Sequence, residues 1–174
     1  MSKLRPPVNE QDHFQGNPEK AKVILTEYGD YQCPSCGEAY PIVKNLQRHF
    51  GEDLLFVFRN FPLQDSHPDA FSAALAAEAA GKQDKFWEMH DVLYENQDRL
   101  DQEALEYYAE KLGLDMNQFL EDLQSNDIRK KVENDIESGL RSGVNGTPSF
   151  YIGEEKYNED WSEDFLKAVI EQFI

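Results

Sequence analysis

Between residues 64 and 142 the chain carries helical periodicity only, and its strand-like runs lie on either side of that block. Pro68 sits near the start of an Ala-rich stretch through Ala80 that Gly81 stops. Phe86, Met89, His90 and Leu93 then fall at i, i+3, i+4 and i+7, and Leu105, Tyr108, Ala109 and Leu112 repeat the spacing up to Gly113. Met116, Phe119, Leu120 and Leu123 match it again, and Ile128, Val132, Ile136 and Leu140 form a narrower stripe. Four or five helices in succession, with no strand between them, must cover their own apolar faces. The expectation is a helical subdomain over residues 64–142.

The flanks read differently. Residues 1–20 are polar and Pro-rich, an extended lead-in. Lys22 to Tyr28 is β-branched and aromatic, and Leu54 to Phe58 is a second buried strand. Between them a helix is predicted from Pro34, with Ile42, Val43, Leu46 and Phe50 on one face, a kink at Pro41 and a stop at Gly51. Strand, helix and strand at this length make a right-handed βαβ unit. After the helical block, Ser149 to Ile152, a turn at Gly153 and Lys156-Tyr157 predict a hairpin. A last helix follows, with Ser162 as N-cap and Phe165, Leu166, Val169, Ile170 and Phe173 on its buried side. The order is βαβ, helices, ββα. The predicted fold is therefore α/β around a central mixed sheet, built from residues 21–63 and 143–174.

Composition limits what such a fold can do. A net charge of −17 excludes a basic nucleic-acid surface and docking on anionic lipid. No apolar run is long enough to span a bilayer. The N-terminal residues have positive charge but no apolar stretch behind it, so a secretory signal is not predicted. The expectation is a cytoplasmic protein, or an extracytoplasmic one if a leader is removed.

Only two cysteines occur, in Cys33-Pro34-Ser35-Cys36, and the four histidines are scattered without ligand spacing. A disulfide scaffold needs more cysteines, and a metal site is not expected. The dithiol follows a buried strand and opens a helix. A thiolate at Cys33 would face unpaired backbone N–H groups and the positive end of the helix dipole, which lower a cysteine pKa into the range of roughly 3.5 to 7.5. Cys36, one turn on, would lie deeper and resolve a mixed disulfide formed at Cys33. A bare staple or half of a zinc site completed by a second chain are the alternatives. Glu27 ends an apolar strand six places before Cys33. It is either a strand-end carboxylate that reaches water or a proton acceptor for Cys36. His90 is read as a packed histidine. Pro148 alone reads as an ordinary strand-leading proline.

Three stretches together, Glu27-Tyr28-Gly29-Asp30-Tyr31-Gln32-Cys33-Pro34-Ser35-Cys36, Phe58-Arg59-Asn60-Phe61-Pro62-Leu63 and Gly143-Val144-Asn145-Gly146-Thr147-Pro148-Ser149-Phe150, resemble the DsbA-like branch of the thioredoxin superfamily. The resemblance implies a thioredoxin fold with a helical domain inserted between its βαβ and ββα halves. It implies Cys33 as exposed nucleophile, Cys36 as resolving thiol, Glu27 as the carboxylate ahead of them, and a cis bond at Pro148. Thr147 and Pro148, with Pro34 and Ser35, would take the substrate chain. Pro34-Ser35 differs from the Pro-His and Pro-Tyr pairs of the branch, and serine supplies neither a cation nor a ring beside the thiolate. The implied activity is thiol–disulfide exchange with protein or peptide thiols and disulfides. It would use no cofactor beyond the redox-active disulfide Cys33–Cys36, and an unidentified redox partner would recycle it. Two alternatives stand beside it: a glutathione-dependent isomerase or transferase, disfavoured by the second cysteine, and a non-enzymatic peptide-binding or chaperone module.

Overall fold

The computed structural model describes residues 2–174. The chain forms two compact units. One comprises the residues up to Gly29, Glu38–Arg59 and Glu137–Ile174; the other comprises Asp30–Gly37 and Asn60–Ile136.

The first unit is built on a five-stranded mixed sheet in the order β1-β3-β2-β4-β5. Its members are β1 (His13–Gln15), β2 (Val23–Gly29), β3 (Leu54–Asn60), β4 (Ser149–Ile152) and β5 (Glu155–Tyr157). β3 is buried along its whole length and β2 nearly so, as expected for central strands with continuous apolar runs. β4 pairs antiparallel with β2, setting Glu27 opposite Phe150 and Tyr28 opposite Ser149. β5 completes the predicted hairpin on the outer edge of β4. Helix α1 (Pro34–Phe50) connects β2 to β3 and stops at Gly51, whose φ of 55° suits a residue without Cβ. Leu25, Val43, Leu46, Phe56, Phe58 and Phe150 are all buried in the core of this unit.

The lead-in is tied down. β1 pairs antiparallel with β3, and Asp12 reaches the buried Arg59. Both Asp12 oxygens accept from this guanidinium at 2.8 Å, and its third nitrogen donates to Tyr28 and Ser138. Burial opposes the charge more than any single interaction favours it, but the bonds and charges of Asp12 and Tyr28 together outweigh it and leave Arg59 more basic than usual.

The second unit contains α2 (Ala70–Gly81), α3 (Phe86–Glu95), α4 (Gln102–Lys111), α5 (Met116–Leu123) and most of α6 (Asn126–Arg141). Helix α2 is buried from Ala73 to Ala80 and apolar there on every side except at Glu78, the pattern of a helix at the centre of a bundle. Its small side chains let α3, α4 and α5 pack closely on it. Asn60 opens this unit with a buried polar cluster, its amide donating to Glu78 at 2.9 Å and Asp135 at 3.0 Å. Lys131 bonds both Asp135 oxygens.

Two predicted stripes are rotated. Leu140 is 63% exposed, while Asp135 and Ser138 are buried in its place. A spacing of four residues turns about 40° per step on a helix of 3.6 residues per turn, so a run of 128, 132, 136 and 140 leaves its own contact face. On α7 (Glu163–Glu171) Leu166 and Ile170 are buried but Phe165 is 58% exposed, and Phe173, two residues past the end of the helix, is 55% exposed. Ser162 holds the N-cap position of α7 without a side-chain capping bond. Among the described residues, no helix is long and apolar enough to cross a membrane.

Candidate active site around the dithiol

β2 ends at Gly29 and α1 begins at Pro34, so Asp30–Cys33 form the loop between them. Proline suits the first helical position, because its fixed φ is already helical and its missing N–H has no partner to lose. The Cys33 carbonyl accepts from Gly37 N–H at 3.1 Å, the first turn of the helix, which makes Cys33 the residue at its head. Cys36 lies one turn further on and is fully buried, while Cys33 keeps 6% of its surface. The order of depth is the expected one. Cys33 is nevertheless more enclosed than the exposed nucleophile that the resemblance implies. Pro34 is exposed and Ser35 half-buried.

Asp30 organises this loop. Its Oδ1 accepts from the backbone N–H of Gln32 at 2.8 Å and of Cys33 at 3.2 Å. Its Oδ2 accepts from Leu63 N–H at 2.9 Å and lies 2.7 Å from His67 Nδ1. The carboxylate itself is fully buried. Gln32 Oε1 accepts from Asp69 N–H, so the loop is bound to the start of α2 as well. Tyr31 Oη shares a hydrogen bond of 2.9 Å with His90 Nδ1, and its ring packs on Tyr94 with centroids 4.9 Å apart. His90 is thus a packed, satisfied histidine. Gln97 donates from Nε2 to the carbonyls of Tyr31 and Cys33, both at 2.9 Å.

Sequence reasoning passed over Asp30, His67 and Gln97. Asp30 had a readable signal, since an Asp that bonds the N–H two residues on is a common turn device. Gln97 had none, lying 64 residues from its partner.

The other expected site residues belong to the first unit. Glu27 is in β2 and 3% exposed, so it is a buried carboxylate and not one that reaches water. The Thr147–Pro148 bond is cis. From Ser149 the chain pairs with β2, and the side-chain bonds around the proline run to residues close by in sequence. Ser149 Oγ donates to Gly146 O, Tyr151 Oη to Ser142 O and Lys156 Nζ to Gly143 O, at 2.6 to 2.8 Å. A cleft of about 280 Å³ opens here, lined by residues 145–150 and 156–159 and by Trp161. Burial raises the Tyr157 phenol above its ordinary value, and Glu159 and Asp160 add to the rise. Among the described residues, no three His, Cys, Asp or Glu side chains are grouped to hold a metal ion.

Comparison with known proteins agrees with this architecture. The thioredoxin family model matches residues 8–172. The chain is 37% identical over 173 residues to the Na(+)/H(+) antiporter NhaA 1 of Mycobacterium sp. (strain KMS), covering 98% of this chain and 28% of that protein. It therefore spans under a third of the length of the curated relatives it matches. The crystal structure of oxidised BdbD from Bacillus subtilis superposes with a TM-score of 0.82 at 27% identity, covering 95% of this chain and 94% of that one. Wolbachia pipientis α-DsbA1 gives 0.84 at 20% identity, over 97% and 93%. The helical insertion, the five-stranded sheet and the two cysteines at the head of α1 are all within the matched span, and the chain belongs to the thioredoxin family, with the fold that the BdbD and α-DsbA1 structures share.

Proposed function

We propose that the protein is a thiol–disulfide oxidoreductase that exchanges disulfides with protein or peptide substrates through Cys33 and Cys36. The observation that carries this reading is the placement of the dithiol, with Cys33 at the head of α1 and Cys36 buried one turn behind. The helix dipole favours a thiolate at Cys33. That thiolate attacks a substrate disulfide, forming a mixed disulfide and releasing one substrate thiolate. Cys36, losing its proton, then attacks the Cys33 sulfur; the second substrate thiolate leaves and the Cys33–Cys36 disulfide closes. Two electrons pass to the substrate, and the reverse sequence oxidises a substrate dithiol. Glu27, a buried carboxylate, is the proposed group that exchanges a proton during resolution. Thr147 and Pro148, with Pro34 and Ser35, are the proposed substrate-contacting residues. The exchange needs no cofactor beyond the dithiol, and a second thiol–disulfide protein would recycle it.

Reduction of insulin and oxidation of a model dithiol peptide test the reading. Cys33→Ser should abolish both, and Cys36→Ser should accumulate mixed disulfides. Equal rates for wild type and Cys33→Ser would sink it. Direction follows from the reduction potential against glutathione: a value near about −120 mV marks an oxidant and one near about −270 mV a reductant.

A second reading is favoured by the relatives. Those named Na(+)/H(+) antiporters contain this region as under a third of their length. We infer that a domain of this kind works as a redox module beside a cation–proton antiporter. Capture of an antiporter cysteine by Cys36→Ser, with antiport rates that depend on Cys33, would support it; redox-independent antiport would refute it.

A further inference from the structure

We propose that Gln97 is a positioning residue for the dithiol, its amide clipping the Tyr31 and Cys33 carbonyls so that the loop presents the Cys33 sulfur squarely at the head of α1. The inference rests on the exchange reading and adds a residue that takes no part in the bond-making itself.

Three observations carry it. Both hydrogens of the Gln97 amide are used on this one loop, on carbonyls two residues apart, and each bond is 2.9 Å long. The Cys33 carbonyl is also the acceptor for the first turn of α1, so the same oxygen receives the helix and the clip. The other end of the amide touches that turn directly. A Cβ added at Gly37 would lie 2.0 Å from Gln97 Oε1 and 2.7 Å from its Cδ. Gly37 is glycine because the clip occupies the space above it, which ties one helix position to one side chain 60 residues away.

The effect on chemistry follows from where the clip pulls. A thiolate at a helix head is stabilised only while its sulfur stays in line with the first amides and the dipole, an effect that fades beyond the first turn. Asp30 holds the N–H groups of the loop but not these carbonyls, so a tether on the carbonyls at either side of Gln32 removes freedom that the sulfur would otherwise have. Holding a reacting group in its productive geometry is worth far more than the net strength of two neutral hydrogen bonds.

Gln97→Met keeps the length of the side chain and removes the donor. Gly37→Ala leaves Gln97 intact but forces its amide aside, and alanine favours the helix itself, so helix propensity cannot account for a loss. Each variant is made in the full chain with Cys36→Ser, where Cys33 is the only thiol, and iodoacetamide alkylation is followed against pH. Each should raise the alkylation midpoint by about one pH unit, which lowers the rate at acidic pH about tenfold. The double variant should shift no further than either single one, because both remove the same clip. Urea unfolding of the same samples separates this from a general loosening. An unmoved midpoint in a folded Gln97→Met or Gly37→Ala protein overturns the clip, as does additivity in the double variant. Exchange activity is read separately with both cysteines present. A wild type that alkylates as described but exchanges no disulfide overturns the exchange reading and leaves the clip standing as a property of the thiol.

Discussion

The loop that carries the dithiol and the loop that carries Pro148 are held by opposite means. Residues 30–33 are bonded by Leu63, His67, Asp69, His90 and Gln97, partners 33 to 66 residues away along the chain. The side-chain bonds around Gly143–Pro148 span 3 to 13 residues, and from Ser149 onward the chain pairs with β2. A bond between residues close in sequence needs little chain to be ordered before it can form. A loop held from distant points forms only after the intervening helices have packed. The reactive segment is therefore a product of the helical unit, whereas the proline segment is a local motif on a sheet. Changes in the helices should reach the chemistry of Cys33 without touching the sulfur.

The largest expected effect is at Asp30. Asp30→Ala removes the acceptor of three backbone N–H groups and the partner of His67 inside the protein. It should cost about 3 kcal/mol in urea unfolding and slow Cys33 alkylation. A cost under about 1 kcal/mol would mean that the loop holds itself, and the contrast would fail. Next is Tyr31→Phe, which removes the hydroxyl bonded to His90 Nδ1 inside the protein and should cost about 1.5 kcal/mol. Tyr151→Phe, on the local side, should cost about 1 kcal/mol for its bond to Ser142 and leave the alkylation of Cys33 unchanged. A slower thiol in that variant would break the distinction between the two loops.

The smallest effect on the thiol belongs to Asp135, which sharpens the contrast from within the helical unit. Burial raises the Asp135 carboxyl above its ordinary value; Lys131 opposes the rise and Glu78 adds to it. Such a group gives stability that is full below the unfolded value of about 3.9 and is lost as pH rises through the folded one. The stability of wild type relative to Asp135→Asn should therefore decline from about pH 4 upward, with no change in alkylation at any pH. If the alkylation rate moved with it, the dithiol would be reporting the looseness of the whole unit and not its own bonds.

Much of this was legible in the chain itself. The order of strands and helices follows from periodicity, and α1, α2 and the β4–β5 hairpin lie close to where their Pro, Gly and apolar patterns put them. The polar lead-in was less legible, because β1 is three residues long and its pairing with β3 has no periodicity to show. The exposure of Leu140, Phe165 and Phe173 was hidden for a related reason. Periodicity says that a helix has an apolar face, but the neighbour decides how wide a strip of it is covered.

What the sequence by itself determined was the dithiol, its place between a buried strand and a helix, and the helical block set between two β regions. Those are short-range properties, written in residue type and spacing. Only the tertiary structure decided what holds the loop at Cys33: the Asp30 carboxylate folded back on its own loop, His67 beside it, and Gln97 spanning two carbonyls from the turn after α3. A hydrogen bond across 64 residues leaves no local trace, because it depends on where packing brings two segments and not on what either one contains.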